Sequence, residues 1–175
     1  MCDPAPIVTA RLRLEPLQPG TIEALIAHDP KAAERAQGRA LPDPFFESAD
    51  EAFLAVQLGR MTSRPSARAW CARAIVRDQD DAVIGHCGFH GPPEDVGRAE
   101  IGYTVLPPYR RQGFATEAAQ GLVDWARAQG ESVVFASVSP GNVASLAVVG
   151  KLGFRQTGVQ IDDVDGEERV FELGL

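Results

Sequence analysis

Two arginines and a glycine stand together between a strand-like stretch and a run of small residues. The segment reads Tyr-Arg-Arg-Gln-Gly-Phe-Ala-Thr-Glu-Ala from Tyr109 to Ala118 and follows two prolines. RAEIGYTVL precedes it, and residues 113–129 have helical spacing, so the segment lies at the start of a predicted helix. The first amides of a helix have no partner within the helix and carry partial positive charge. The pattern therefore predicts a binding site for an anion such as phosphate.

The residue types in this segment suit such an anion. Gly113 removes a side chain where a phosphate would touch the backbone, and Ala115 keeps the next approach narrow. Arg110 and Arg111 can add charge-assisted hydrogen bonds. The sequence has no GxxxxGK[ST] motif, and GHCGFHG lacks the spacing of a dinucleotide-binding GxGxxG motif. An ordinary glycine-containing loop with two solvated arginines remains the alternative interpretation.

The composition is that of an ordinary globular protein. The 175 residues fit one domain, with 45% hydrophobic and 23% charged residues. No stretch approaches the roughly 20 apolar residues that span a bilayer, and the N-terminus does not resemble a secretory signal. We therefore expect no membrane association. Because Cys2, Cys71 and Cys87 are odd in number and have no metal-type spacing, we expect a reducing cytoplasm and no metal. The net charge of −7 argues against nucleic-acid binding and is compatible with a cationic substrate.

The elements that must position the anion site alternate between strands and helices. Apolar and polar residues alternate over residues 9–17, which predicts a first strand. One helix follows over residues 19–36 with Thr21 as its N-cap, and a second begins at a capping box of Ser48 and Glu51. The later elements are three strands, a helix, a strand, a helix and two strands (67–76, 82–91, 98–106, 113–129, 132–138, 142–154, 154–161, 169–175). We therefore expect one mixed α/β domain over residues 1–175.

These motifs together resemble those of a known enzyme family. Arg110-x-x-Gly113-x-Ala115 resembles the acetyl-CoA pyrophosphate loop of the GNAT superfamily of N-acetyltransferases. Further motifs follow the order seen in its RimJ/RimL-like branch, the ribosomal-protein N-terminal acetyltransferase type. They are TARLRLEPL, Glu100-Ile101-Gly102-Tyr103, Thr116-Glu117-Ala118, Asn142-x-x-Ser145 and Lys151-Leu152-Gly153-Phe154. The resemblance covers residues 98–160 well and residues 20–80 poorly.

The resemblance implies a particular fold and cofactor site. The fold would be α/β, or α+β, with a mixed sheet of six or seven strands, splayed in the middle and flanked by about four helices. The splay would separate strands 97–106 and 132–138, with the pantetheine arm of acetyl-CoA in the gap. The arm would pair with the backbone of Tyr103, Thr104, Val105 and Leu106. The pyrophosphate would contact Arg110, Arg111, Gln112, Gly113, Phe114, Ala115 and Thr116.

The resemblance also implies direct attack of an amine on the bound thioester in a ternary complex. Glu100 is the candidate base, because similar enzymes often have a carboxylate on this strand and Gly102 could kink it. His86 and His90 are rival bases on one face of the neighbouring strand. An exposed strand carboxylate is the alternative interpretation of Glu100.

Ser145 is the candidate donor of a proton to the departing thiolate. Many members of the superfamily have a tyrosine where this chain has Val149, whereas RimL-like members rely on a serine that matches Ser145. Ser145 could instead satisfy backbone amides in the first turn of its helix. Asn142 would contact the cofactor arm, cap the helix, or do both.

Two other residues bear on the mechanism and the acceptor. Cys87 could form an acetyl-cysteine, but the pattern GHCGF favours a buried strand residue. Thr104 departs from related chains, which often have a tryptophan after the Gly-Tyr pair, so one wall of the acceptor pocket would differ. An acidic turn could attract a cationic acceptor, although a solvated hairpin also explains it (Asp162, Asp163, Asp165, Glu167, Glu168).

The sequence therefore predicts an acetyl-CoA-dependent N-acetyltransferase that acetylates a primary amine. A protein or peptide N-terminal α-amine is one acceptor class. A small-molecule amine, such as an antibiotic, a polyamine or an amino acid, is an alternative. A non-catalytic CoA-binding regulatory module is a third interpretation. Both a monomer and a homodimer are compatible with the sequence.

Overall fold

A mixed β-sheet forms the centre of the molecule. The computed structural model describes residues 4–47, 50–162 and 166–175, without the side chain of Val96. Within these residues the strands are β1 (Ile7–Val8), β2 (Leu12–Pro16), β3 (Ala72–Arg77), β4 (Ala82–Phe89), β5 (Ala99–Val105), β6 (Val133–Val138), β7 (Arg155–Asp162) and β8 (Gly166–Gly174). They form one eight-stranded sheet in the order β1-β2-β3-β4-β5-β6-β8-β7. β5 and β6 are parallel, and the other described neighbours are antiparallel.

Helices cover both faces of this sheet. They are α1 (Pro19–Ile26), α2 (Pro30–Gln37), α3 (Glu51–Ser63), the single turn α4 (Pro93–Val96), α5 (Phe114–Ala128) and α6 (Val143–Lys151), with 3-10 helices at Pro65–Trp70 and Pro107–Tyr109. Ile22 of α1 and Leu54 of α3 belong to one apolar core. Leu122 of α5 belongs to a second core with Leu14 and Ile84. No helix in the described part of the chain is long and apolar enough to cross a membrane.

β5 and β6 stay together over a very short distance. Ala99 pairs with Val134 and Glu100 with Phe135, and the two strands then separate. β5 remains paired with β4 as far as Val105. The predicted splay between these two strands is therefore confirmed, and it leaves one edge of β5 open in the middle of the sheet.

The structure corrects the predicted number of elements. The sheet has eight strands instead of six or seven, because Ile7–Val8 forms a short extra strand ahead of the predicted first strand over residues 9–17. The amide of Thr9 donates to the carbonyl of Leu12 at 2.9 Å, and this turn separates β1 from β2. The predicted helix over residues 19–36 is two helices, because His28 has a φ of 53° and Asp29 caps a new helix. Six helices result, where about four were expected.

Two predicted element boundaries also change. Thr21 is not an N-cap: α1 begins at Pro19, and the buried Thr21 hydroxyl donates to Gln37 Oε1 at 2.9 Å. β3 begins at Ala72, because the preceding five residues of the predicted strand lie in the 3-10 helix and at its end. Ser48 of the predicted capping box, and Asp163 and Asp165 of the acidic turn, lie outside the described residues.

A β-bulge in β4 sets the position of β5. Ile75 of β3 pairs with Gly85, whereas the next residue, Val76, pairs with Val83. The extra residue in β4 brings Gly85 so close to β5 that a Cβ atom there would overlap the carbonyl oxygen of Thr104. Glycine at this position therefore lets the two strands approach.

We predict that Gly85→Ala destabilises the protein. A methyl group at position 85 would push the β5 backbone, so the free energy of unfolding should fall by about 1–3 kcal/mol. Gly59→Ala is the control, because Gly59 is an exposed residue of α3 and nothing lies within 4 Å of the added atom. That variant should be more stable by about 0.5–1 kcal/mol. Urea unfolding measures both, and equal midpoints for the two variants would contradict the close approach.

Candidate functional site

A cavity of about 610 Å³ lies beside the open edge of β5. It brings together most of the residues that the sequence predicts for the cofactor site, from four separate elements. From β5 and the loop after it come Tyr103, Thr104, Val105, Arg110 and Arg111. From α5 with its N-cap and from α6 come Gly113, Phe114, Ala115, Thr116, Asn142 and Ser145. Gln112 lines an adjoining groove of about 950 Å³, which shares Gly113 and Thr116 with the cavity.

The N-terminus of α5 has the properties of an anion site. Gly113 is the N-cap, with a φ of 84°, and no side chain caps the helix. The first intrahelical bond is donated by Glu117, so the amides of the preceding turn have no helical partner. Within the described residues, neither Arg110 nor Arg111 forms an ion pair; Arg110 Nε donates to the Val105 carbonyl at 2.8 Å. Two cations and several free amides therefore face one corner of the cavity.

A third arginine, which the sequence analysis missed, reaches this corner from the turn between β1 and β2. Arg11 Nη1 donates to the Gln112 carbonyl at 3.1 Å, and its guanidinium lies 4.5 Å from the centre of the Phe114 ring. Its Nε binds Glu117 Oε2 at 2.6 Å. Arg11 is 101 residues from Gln112, so no local pattern could have revealed the contact.

The carboxylate of Glu117 holds the Arg11 side chain in place. Burial raises the pKa of Glu117, but hydrogen bonds from the Thr9 hydroxyl and from Arg11 outweigh burial and lower it overall. The Thr9 hydroxyl donates to Glu117 Oε1 at 2.7 Å, and the Arg11 amide donates to the same oxygen at 2.7 Å. The N-terminal hairpin is therefore fastened to the first turn of α5.

The open edge of β5 carries backbone groups of alternate residues. The Leu106 amide donates to the Ile84 carbonyl at 2.9 Å, and the Glu100 carbonyl accepts from His90 at 3.0 Å, so both residues face β4. Because peptide groups alternate in direction along a strand, Tyr103 and Val105 face the gap. Arg110 already occupies the Val105 carbonyl. The Leu106 amide is bonded to β4, and Leu106 does not line the cavity, so we leave it out of the proposed site.

The opposite wall of the cavity is the first turn of α6. Asn142 Oδ1 accepts from the Ser145 amide at 3.0 Å, so Asn142 caps this helix. The Tyr103 hydroxyl donates to the Ser145 carbonyl at 3.4 Å across the gap. Burial raises the pKa of Tyr103 to about 12, although hydrogen bonding to Ser145 opposes the rise. Val149 is 1% exposed and belongs to the core.

The candidate bases lie on the other face of β5, towards α3. Glu100 Oε2 is 3.5 Å from His90 Nδ1, and His90 packs against Phe53 of α3. Burial raises the pKa of Glu100, but His90, Ser137 and Arg98 together outweigh burial and lower it overall. Glu100 does not line the 610 Å³ cavity.

Two other candidates are buried. His86 stacks on Phe46 with ring centres 3.9 Å apart, and burial lowers its pKa to about 4. Burial raises the pKa of Cys87 to about 12, so this residue is a thiol at neutral pH rather than a nucleophilic thiolate. Among the described residues, no group of three or more His, Cys, Asp or Glu side chains could hold a metal ion.

The family of the chain follows from a comparison with protein-family models. Residues 11–155 match the family described as the acetyltransferase (GNAT) domain. The chain belongs to the GNAT acetyltransferase family. The matched range contains the whole N-terminus of α5, β5 and the first turn of α6, so the cavity lies within the family domain.

Individual GNAT relatives agree with this assignment. The chain is 33% identical over 101 residues to an uncharacterized N-acetyltransferase, p20, of Bacillus licheniformis, covering 57% of each chain. The chain spans about half the length of the curated relatives it matches.

Two solved structures share the fold at low sequence identity. A ribosomal-protein-S5-alanine acetyltransferase of Vibrio fischeri matches with a TM-score of 0.65 and 15% identity over 98% of this chain and 97% of that one. The microcin C7 self-immunity acetyltransferase MccE, in complex with acetyl-CoA and AMP, matches with a TM-score of 0.63 and 15% identity, over 95% and 93%.

We predict that two substitutions at Asn142 separate its role as a helix cap from a role in contacting the ligand. Asn142→Ala should lower the free energy of unfolding by about 1 kcal/mol, because the Ser145 amide loses its acceptor. Asn142→Asp keeps an acceptor oxygen and should retain wild-type stability in urea unfolding. Unchanged stability of Asn142→Ala would contradict the capping role. Loss of acetyl-CoA affinity in Asn142→Asp alone would assign the second role to the amide nitrogen.

Proposed function

We propose that the protein is an acetyl-CoA-dependent N-acetyltransferase that acetylates a primary amine by direct attack in a ternary complex. Two open binding surfaces lie in one cavity, and this observation carries the proposal. One is the uncapped N-terminus of α5 beside Arg110 and Arg111, and the other is the open edge of β5. A diphosphate joined to a chain of amides would complement both surfaces.

The described residues fit the coenzyme. The amides from Gly113 to Thr116 would hold the pyrophosphate, with Arg110 and Arg111 adding charge. Arg11 would act indirectly, because it holds the Gln112 carbonyl and so orients the loop. Tyr103 would offer both of its backbone groups to the pantetheine amides, and Val105 would offer its N–H, because Arg110 binds the Val105 carbonyl. The coenzyme supplies an acetyl thioester, whose carbonyl carbon the amine attacks.

Residues of α6 and β5 lie where the sulfur would leave. Ser145 and Tyr103 line the cavity together, and each carries a hydroxyl. We assign Ser145 the donation of a proton to the departing thiolate, and Glu100 a part in removing a proton from the acceptor amine. Val149 cannot replace either group, because it is an apolar core residue.

A protein or peptide N-terminal α-amine is the acceptor class that we favour. The Vibrio fischeri structure is named for an alanine of ribosomal protein S5, which supports a RimJ/RimL-like assignment. An α-amine has an ordinary pKa of about 7.7–8.0, against about 10.4 for lysine, so it needs less help from a base. A small-molecule amine remains the alternative acceptor, in view of the likeness to the MccE structure. Cys71 and Cys87 are free thiols, in keeping with the reducing cytoplasm that we propose as the location.

A non-catalytic CoA-binding module is the second candidate function, favoured by the buried Val149. A turnover assay distinguishes the enzyme from the non-catalytic module. With acetyl-CoA and a panel of peptide and small amines, we expect the wild-type protein to release free thiol. Ser145→Ala should lower kcat by about 100-fold or more with little change in KM. Ser63→Ala should behave as wild type, because its hydroxyl bonds to Gly59 of its own helix at 2.7 Å. Tight acetyl-CoA binding without thiol release would identify the module.

An anion site at the N-terminus of α5 predicts that negative charge at the N-cap weakens coenzyme binding. Acetyl-CoA at about 100 times its dissociation constant should raise the wild-type Tm by about 5–10 °C. Gly113→Glu should abolish this rise, because it places bulk and negative charge among the free amides. Gly130→Glu is the matched control: it adds the same charge just beyond the other end of α5, where φ is 95° and nothing lies within 4 Å. An undiminished rise in Gly113→Glu would refute the site.

A further inference from the structure

A pair of side chains lies across β5 from the cofactor cavity. Glu100 and Gly102 share the face of β5 that looks towards α3, because side chains alternate along a strand. His90 follows the end of β4, and its imidazole lies over Gly102. The imidazole Nδ1 is 3.5 Å from Glu100 Oε2. The other ring nitrogen, Nε2, lies beside Gly102.

Gly102 makes room for this ring. A Cβ atom at position 102 would lie 2.8 Å from His90 Nε2, so the imidazole occupies the space that a side chain would fill. Glu100 is the last β5 residue paired with β6, and Gly102 lies just beyond it. Nε2 is therefore held over the point where the sheet opens. Tyr103, the next residue, presents its side chain to the cofactor cavity on the opposite face.

His90 is fixed by its neighbours yet reachable from solvent. Its carbonyl oxygen accepts a hydrogen bond from the Arg60 guanidinium, and its ring lies 5.2 Å from that of Phe53. The charged groups around it are Glu100 on β5, Arg60 on α3 and Asp95 on α4, which is 3.5 Å from Arg60. The side chain of His90 is 46% exposed, whereas that of Glu100 is 18% exposed.

We propose that His90 is the group that accepts a proton from the acceptor amine, and that Glu100 is the positioning residue that orients it. The inference rests on the proposed acetyl transfer. A carboxylate 3.5 Å from Nδ1 favours the tautomer with the proton on Nδ1 and leaves the Nε2 lone pair free. The acceptor would then approach β5 from the face of α3, and the coenzyme from the face of α5.

The carboxylate alone is poorly suited to the task. A general base works best when its pKa is near the pH of the reaction, and the pKa of Glu100 is lowered by its neighbours. Histidine is ordinarily matched to neutral pH, but His86 is buried against Phe46. His90 combines exposure with a fixed orientation.

The protons and electrons balance in this scheme. A protonated amine must lose two protons to become an amide. One passes to His90 Nε2 and then to solvent, which frees the nitrogen lone pair to form the C–N bond. The C–S bond breaks with its electron pair on sulfur. The thiolate takes a proton from the Ser145 hydroxyl, and the second proton of the nitrogen passes to the Ser145 oxygen, which restores that hydroxyl.

Paired variants test the assignment. His90→Gln should lower kcat/KM by about 100-fold or more. It should leave the Tm rise caused by acetyl-CoA unchanged. Because the two residues act as a unit, Glu100→Gln should also lower kcat/KM, and the double variant should be no slower than His90→Gln. His28→Gln is the control, because His28 and Glu51 form a similar exposed pair, 3.4 Å apart, outside this site.

A spectroscopic measurement separates positioning from a purely structural role. Nitrogen NMR of the wild-type protein should show neutral His90 with its proton on Nδ1, and Glu100→Gln should redistribute the proton between the ring nitrogens. Wild-type rates in His90→Gln with strong loss in Glu100→Gln would overturn the proposal and make Glu100 the direct base. A proton on Nε2 would also overturn it. Absence of thiol release by the wild-type protein with every amine would instead overturn the proposed function, and the role of His90 with it.

Discussion

The separation of β5 from β6 is the constraint on which the rest of the structure depends. Backbone groups inside a protein need partners, and a strand with an open edge in the middle of a sheet has none on that side. The protein supplies one internally, from Arg110 to the Val105 carbonyl. The groups of Tyr103 remain open to a cavity. A chain of amides that entered the gap would satisfy them, so the separated strands act as a binding site rather than as a defect.

The same strand also keeps the two sides of the proposed reaction apart. Alternation along β5 directs Tyr103 towards α6 and the cavity, and Glu100 and Gly102 towards His90. The helices reinforce this division, because α5 presents free amides on one face while α3 holds the His90 carbonyl on the other. Two substrates could thus occupy opposite faces and meet only at the opening. Such an arrangement favours direct transfer over a covalent enzyme intermediate, and the buried Cys87 agrees with it.

Short sequence motifs predicted the helix N-termini that lie at the candidate site. The glycine and arginines before α5, and Asn142 before α6, lie where spacing placed them. The break at Asp29 and Pro30 had a readable signal, since an N-cap residue before a proline begins a helix. The contacts of Arg11 had none, because they depend on how the N-terminal hairpin docks on α5. The choice between His86 and His90 likewise depended on which part of their shared strand face would be covered, as Phe46 covers His86, and this lies where the resemblance was weakest.

The hydroxyl groups of Tyr103 and Ser145 lie at the gap, although position 149 is a valine rather than a tyrosine. Val149 removes a hydroxyl from the position where many members of the superfamily have one, yet Tyr103 brings another beside Ser145 from the facing strand. With its pKa raised to about 12, Tyr103 stays protonated at neutral pH, and its hydroxyl would donate to the sulfur by turning from the Ser145 carbonyl, 3.4 Å away. A neutral donor stabilises a developing thiolate as a fixed dipole, which is effective in a site that excludes water. The apolar residue at position 149 is therefore compatible with turnover, provided that Ser145 can pass on the proton.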